Sequence, residues 1–263
     1  VKIKNTSLEA KEDDNPEFIV EERFWKPLIK DVTKKDKRPI ISNTDAWVLN
    51  LDLKKKELSN LKIKDYVEWG EKKGFNKRSV TSLQTPWYKP TNQIINSCEI
   101  LLPRSFNDVF CIYYNPNKYV SLRFYRLHPK KEVDTLFFVS LMNSTLFYFF
   151  IEIYGAKSLG QGVLDIFMFD MLRIPFPIIS NKKIKLAFDK LSKRGCKTIY
   201  EECVINPSKP IREQEPKPLP DRAELDNIIF DELDLTKEER KEIYWAICEL
   251  VQQRLSKATS LKK

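Results

Sequence analysis

Histidine is all but missing from this sequence. His128 is the only one in 263 residues, and it stands beside Pro129 at the end of an expected strand. A nucleophile–base pair built on imidazole therefore has no second candidate, and His128 reads as a surface residue. The five cysteines, Cys98, Cys111, Cys196, Cys203 and Cys248, include no C-x-x-C pair. Their odd number fits reduced thiols in a cytosol better than a disulfide scaffold or a zinc site, so no metal role is expected. No G-x-G-x-x-G stands between a strand and a helix, which removes the dinucleotide fingerprint. Internal repeats of solenoid type are absent as well. Val1 to Glu12 alternates charged and small residues, so no secretory signal opens the chain. It also opens without methionine, from which a piece of a longer protein is expected.

Long apolar runs are scarce too. Asp134 to Tyr154 alone raises the membrane question, since about 20 apolar residues span a bilayer. Ser140, Asn143, Ser144, Thr145 and Glu152 interrupt it, and Ser144 is well placed to cap a second helix. Two short buried helices and no membrane association are expected.

What is present points to a folded, basic protein. With 42% hydrophobic and 12% aromatic residues, the chain has the composition of a globular protein with a core. The formal charge of +9 favours a polyanionic partner, because cations that neutralise phosphates release condensed counterions. From Ser208 onward there are 11 basic and 12 acidic side chains. The positive surplus, and with it any polyanion binding, therefore belongs to the earlier part of the chain.

The pattern along the chain suggests an α+β protein, with a small, mainly antiparallel sheet packed by helices and a C-terminal helical extension. Residues 1–15 read as a flexible N-terminal segment, 16–205 as the principal domain, 206–220, with five prolines, as a linker, and 221–263 as the helical extension. Within the principal domain, Pro16 to Thr33 suggests a short helix or docking segment. Ala46 to Leu53 suggests a strand with Trp47, Leu49 and Leu51 on one face. Leu61 to Gly74 spaces Leu61, Ile63, Tyr66, Val67 and Trp69 as an amphipathic helix that Gly74 ends. A small meander follows, at about 99–102, 109–114 and 119–127. After the apolar helices come a glycine loop, a strand at 173–177, and helical spacing over 182–204. Arg222 to Leu233 and a second segment opened by the Thr236–Glu239 capping box close the chain.

Basic residues interleave with aromatics in KRSVTSLQTPWYKP, where Lys77, Arg78, Trp87, Tyr88 and Lys89 cluster around Pro86. Lysine and arginine hold phosphates and arginine pairs bidentately with guanine edges, whereas Trp87 and Tyr88 can equally serve the core. Arg104 follows Pro103 at a strand end. Arg123 and Arg126 are three apart, so on a strand they face opposite sides and at most one looks towards a nucleic acid. Lys157, Ser158 and Gln161 ride on the Gly155 to Gly162 loop, which either turns the apolar helix back onto the sheet or also carries a contact. Asp65 with Glu71-Lys72-Lys73 matches the crude form of a magnesium-dependent nuclease constellation, although on an expected helix rather than a strand.

The stretch from Leu141 to Pro177 opens a buried helix with Asn143, Ser144, Thr145 and Leu146, turns through Gly155, Gly160 and Gly162, and ends at Ile174, Pro175 and Pro177. Together with WVLNL near Trp47, WGE in the Tyr66 to Glu71 helix, PWY near Pro86 and RAELDNIIFDEL near Arg222, it resembles the target-recognition region of adenine-N6 DNA methyltransferases of restriction–modification systems, type II/IIG and type I-like. The resemblance implies a domain placed after the catalytic domain, contacting double-stranded DNA in the cytoplasm and choosing the target sequence. The same resemblance puts S-adenosylmethionine and methyl transfer in the parent protein's catalytic domain or subunit, and no cofactor or catalytic residue in this fragment. The family's N/D-P-P-Y/F loop, which grips a flipped-out adenine, is absent. Its nearest string, Asn115-Pro116-Asn117-Lys118-Tyr119, reads as a hairpin turn. Three alternatives are a specificity subunit of a multisubunit restriction system, a magnesium-dependent nuclease and a helical protein-interaction module.

Overall fold

The computed structural model describes residues 2–4, 16–29, 38–44, 46–90, 97–121, 124–157, 162–177 and 179–260. In chain order the strands are β1 (Lys2–Ile3), β2 (Phe18–Ile19), β3 (Trp25–Ile29), β4 (Ala46–Leu49), β5 (Ile100–Pro103), β6 (Ser105–Phe106), β7 (Tyr113–Tyr114), β8 (Val120–Ser121), β9 (Phe124–Leu127), β10 (Ala156–Lys157) and β11 (Leu164–Asp165). The helices are α1 (Ile63–Lys72), α2 (Thr135–Met142), α3 (Thr145–Tyr154), α4 (Met168–Met171), α5 (Ile184–Leu191), α6 (Ile199–Cys203), α7 (Pro220–Glu232) and α8 (Lys237–Ser260). The fold is α+β. Its chain divides into two compact units, the first made of Val1–Lys30, Thr44–Ser97 and Tyr119–Leu122, the second of Asp31–Asn43, Cys98–Lys118 and Arg123–Lys263.

In the first unit β3 is the central strand, antiparallel to β4 with Trp25 opposite Leu49, and parallel to β8 with Leu28 opposite Val120. Within 16–33, where a short helix or docking segment is expected, helix is confined to a 3-10 turn at Glu22–Phe24 and the regular structure is strand, chiefly β3. Pairing on both sides satisfies its backbone, a gain that local propensity does not register. β4 stops at Leu49; Trp47 is 55% exposed while Leu51 is buried beyond the strand's end, so the expected common face does not form. α1 matches its periodicity and buries Ile63, Val67 and Gly70. Gly74, at φ 76°, turns the chain out of the helix in the left-handed region where glycine carries no Cβ penalty. The helix start is capped from afar: Glu21 accepts from the backbone amides of Lys62 and Ile63 at 2.7 and 3.1 Å. Val20, Phe24, Leu51, Leu58, Ile63, Val67 and Tyr88 form this unit's core.

In the second unit β5 lies between β7 and β9, both antiparallel to it. The expected meander is corrected accordingly: the string Asn115 to Tyr119 does turn, with Lys118 N donating to Asn115 O at 3.0 Å, but β7 pairs with β5 and β8 pairs with β3. α2 and α3 are separate helices meeting at 68°, and among the described residues no single helix is long and apolar enough to cross a membrane. Asp134 caps α2 and Ser144 caps α3. Asn143 between them is buried with its amide saturated by Ile112, Val139 and Tyr148. The strand expected at 173–177 is absent, because Pro175 and Pro177 have no N–H for a ladder; Phe176 instead stacks on Phe138 at 4.9 Å. The helix expected over 182–204 is two, α5 and α6, separated at Ser192–Lys197 around Gly195, with Thr198 opening α6 through a capping box. Residues 206–220 bury Ile211, and α7 and α8 add Leu225, Ile229, Phe230, Ile247, Cys248 and Val251 to the core that β5, α3 and α5 share.

Charge enters this second core. Arg254 on α8 bonds Glu152 on α3 through Nε at 2.9 Å and Nη2 at 3.1 Å, and also donates to the carbonyls of Asn107 and Gly162. Arg222 bonds Glu202 at 3.1 Å and the carbonyl of Asn143. Asp226 accepts from the Thr145 amide and hydroxyl and from Tyr244. Each of these groups is held by hydrogen-bonding partners, the condition under which burial is tolerated.

Candidate functional site

From Lys72 to Pro90 the sequence carries Lys72, Lys73, Lys77, Arg78 and Lys89 and not one carboxylate. The segment leaves α1 through Gly74, makes a 3-10 turn at Phe75–Lys77 and returns through the cis Thr85–Pro86 peptide. Its base is fastened by Trp87. The indole covers Gly70, where an added Cβ would lie 2.8 Å from it, and its Nε1 donates to Glu71 Oε1 at 3.2 Å. Glu71 also takes an ion pair from Lys55 at 2.6 Å, and these contacts overcome desolvation to hold its carboxyl below the usual carboxylate range. The hydroxyl of Thr81 donates to the carbonyl of Phe75, Ser82 N donates to Arg78 O at 2.8 Å, and Gln84 N donates to Thr81 O at 3.0 Å. A braced loop results, tied to itself by its own backbone and hydroxyl hydrogen bonds.

The cations on this loop differ in how far they are committed. Lys77 is exposed and, among the described residues, has no ion pair; the same holds for Lys72. Arg78 is exposed with its guanidinium 4.1 Å from the centre of the Phe75 ring, a cation–π contact. Lys89 is paired with Asp52 at 2.6 Å. Trp87 is half-buried. Tyr88 is 7% exposed and its hydroxyl donates to Leu53 O at 2.8 Å. Of the two readings open for this pair, Tyr88 takes the packing one, and a contact from its ring to an outside ligand is thereby corrected. Burial first, then the neighbouring Glu71 and Glu57, push its phenol above the ordinary value.

The second unit holds the other candidates. Arg104 is exposed and lies 5.1 Å over the Tyr125 ring. Arg126 is half-buried on β9, opposite Leu101. Lys157 is exposed on β10, which pairs with β11 as a hairpin that in turn joins β6. Gly162 closes that hairpin against Ala258 and Leu255 of α8. Arg123, Ser158 and Gln161, like Gly160, lie outside the described residues. His128 is exposed. Asp65 and Glu71 lie on α1, and Glu71 is taken up by Lys55 and Trp87. Among the described residues no three His, Cys, Asp or Glu side chains gather where a metal ion could be held.

Two residues of the loop escaped sequence reasoning. Val80 and Leu83 are 70% and 87% exposed. Their one sequence signal is company, since they alternate with Ser79, Thr81, Ser82 and Gln84 in a run without helical or strand period.

The family model of the C-terminal domain of the type II methyltransferase M.Eco57I matches residues 30–204, about two thirds of the chain. The chain belongs to that family. No curated protein matches it. The matched span includes the braced loop, the β5 sheet and the apolar helices, while α7 and α8 lie beyond it. As a C-terminal domain of the M.Eco57I type, the chain is associated with methyltransferases of restriction–modification systems. A methyltransferase parent implies S-adenosylmethionine, and Gly70, Gly155 and Gly162 leave no room for that group. Cβ atoms on Gly70, Gly155 and Gly162 would meet Trp87, Leu164 and Ala258 at 2.8, 2.9 and 3.1 Å, so these positions serve internal packing, and Gly74 serves a helix end.

Proposed function

We propose that this M.Eco57I-type domain reads the sequence of double-stranded DNA for an adenine-specific methyltransferase in the cytoplasm, and that a separate catalytic domain or subunit carries out methyl transfer with S-adenosylmethionine. The observation that carries this reading is the braced loop from Lys72 to Pro90, five cations without a carboxylate. Lys72, Lys77 and Arg78 neutralise phosphates and set the register, and Arg78 with Gln84 has the bidentate chemistry for purine edges. Trp87 and Tyr88 hold the loop's base. In the second unit the exposed cations Arg104 and Lys157 supply further phosphate contacts.

Anisotropy titrations of a labelled duplex of about 30 base pairs with the whole chain test the reading, because deleting one cation that neutralises a phosphate flattens log K against log salt by about one unit. The expected result is binding at low salt, with Lys77→Ala and Arg78→Ala each weakening it about fivefold and flattening the slope by about one. Absence of duplex binding at low salt, or slopes unchanged in both variants, overturns it.

A further inference from the structure

Leu83 and Val80 have no role in the reading above. An apolar side chain held in solvent is ordinarily tolerated singly, but these two stand together on a loop whose own hydrogen bonds prevent them from folding inward. Thr81 ties the loop back to Phe75, the Ser82 amide and hydroxyl bond Arg78 and Ser79, and Gln84 N bonds Thr81 O. Leu83 at 87% and Val80 at 70% exposure are therefore displayed by construction. What surrounds them selects the partner. Lys77 and Arg78 stand on the approaching arm, with no carboxylate from there to Pro90 in the sequence, while Lys89 on the returning arm is paired with Asp52. That field repels basic protein surfaces and attracts a polyanion.

We infer that Leu83 and Val80 form an apolar tip that enters a groove of duplex DNA, resting on base edges, thymine methyl groups and sugar walls while Lys77 and Arg78 take the flanking phosphates. This deepens the DNA-reading proposal and rests on it. Apolar contacts of this kind occur in both grooves, and a pre-ordered loop forfeits little conformational freedom on insertion. The polar neighbours Ser79, Ser82 and Gln84 leave the remaining donors and acceptors of the groove floor a partner.

Leu83→Ser, Leu83→Met and Val80→Ser in the whole chain provide the test, measured by anisotropy on a mixed-sequence duplex of about 30 base pairs over a series of salt concentrations. An apolar contact releases no counterion, so Leu83→Ser is expected to weaken binding about five- to tenfold at every salt concentration with an unchanged slope. Leu83→Met is expected to stay within about twofold of the parent, and Val80→Ser to fall between them. Because Leu83 is 87% exposed, its replacement leaves the fold intact, which tryptophan fluorescence checks. Leu83→Ser binding equal to the parent's, or a weakening accompanied by a changed slope, overturns the inference while the DNA-reading proposal stands. Parent chains that associate with each other through Leu83, with duplex affinity indifferent to it, overturn it in favour of a protein contact. Absence of duplex binding by the parent removes both.

Discussion

Unit two buries Glu152, Asp170, Glu202, Arg222, Asp226 and Arg254, whereas unit one, among the described residues, buries no charged side chain and sets Lys77 and Arg78 in solvent. Surface ion pairs occur in both units, as at Lys55 and Lys89 of unit one and Lys185, Lys190 and Arg212 of unit two, each matched by a carboxylate at 2.6 to 2.9 Å. Polar satisfaction follows the division of buried charge. Among the described residues, the buried side-chain atoms left without a partner are Trp25 Nε1, Trp69 Nε1, Asn76 Oδ1 and Ser121 Oγ, all in unit one. Each such orphan costs about 1–3 kcal/mol, so the unit that displays its cations on a loop is also the less consolidated one. Charge in one unit is built into the fold, and in the other it faces outward.

Arg254→Ala is the severest challenge to this division. It leaves Glu152 fully buried without its counter-charge and strips the carbonyls of Asn107 and Gly162 of their donor, for which a loss of about 3–5 kcal/mol is expected in denaturant unfolding. A change under about 1 kcal/mol would mean that the pair is not what holds α8 to α3.

Acid gives the next largest effect. Burial alone would raise Glu202 and Asp221, but Arg222 and Arg194 hold the first, and Arg194 the second, below the usual carboxylate range. A carboxyl with a depressed folded value contributes stability that is present above its unfolded value, about 4.3 for Glu and 3.9 for Asp, and is lost as pH falls through the folded value. Asp226 runs the other way, since burial raises it, and its contribution is lost as pH rises through its folded value. The unfolding midpoint should therefore fall as pH drops below about 4.3, and Glu202→Gln should flatten that decline while lowering stability at neutral pH. An undiminished decline in Glu202→Gln would assign it to other groups.

Smaller effects separate the loop's own parts. Glu71→Gln removes the Lys55 pair and weakens the Trp87 bond, so amide exchange over residues 75–86 is expected to quicken with affinity for duplex down about two- to threefold. Lys89→Ala is expected to cost less than about twofold, because Lys89 already has Asp52. A Lys89 effect as large as that of Arg78 would place the contact on the returning arm instead.

Local signals are legible in the sequence and distant ones are not. α1 with Gly74, the Ser144 cap and the Thr236–Glu239 capping box each join residues a few positions apart, and the structure forms all three. The pairing of β8 with β3, the central place of β5 and the Arg254–Glu152 bond join residues up to 102 apart, where no periodicity reaches. Loop composition advertises cations and aromatics, but which of them face solvent is decided by packing: Tyr88 falls on Leu53 O and Lys89 on Asp52, while Leu83, an apolar residue, is left outside.

Salt dependence of duplex binding, compared between two charge-matched double variants of the whole chain, tests the division of labour most directly. Lys77→Ala with Arg78→Ala should flatten the slope of log K against log salt by about two, and Lys190→Ala with Arg212→Ala should leave it unchanged. Equal slopes in the two doubles, or a flatter one in the second, would contradict the account.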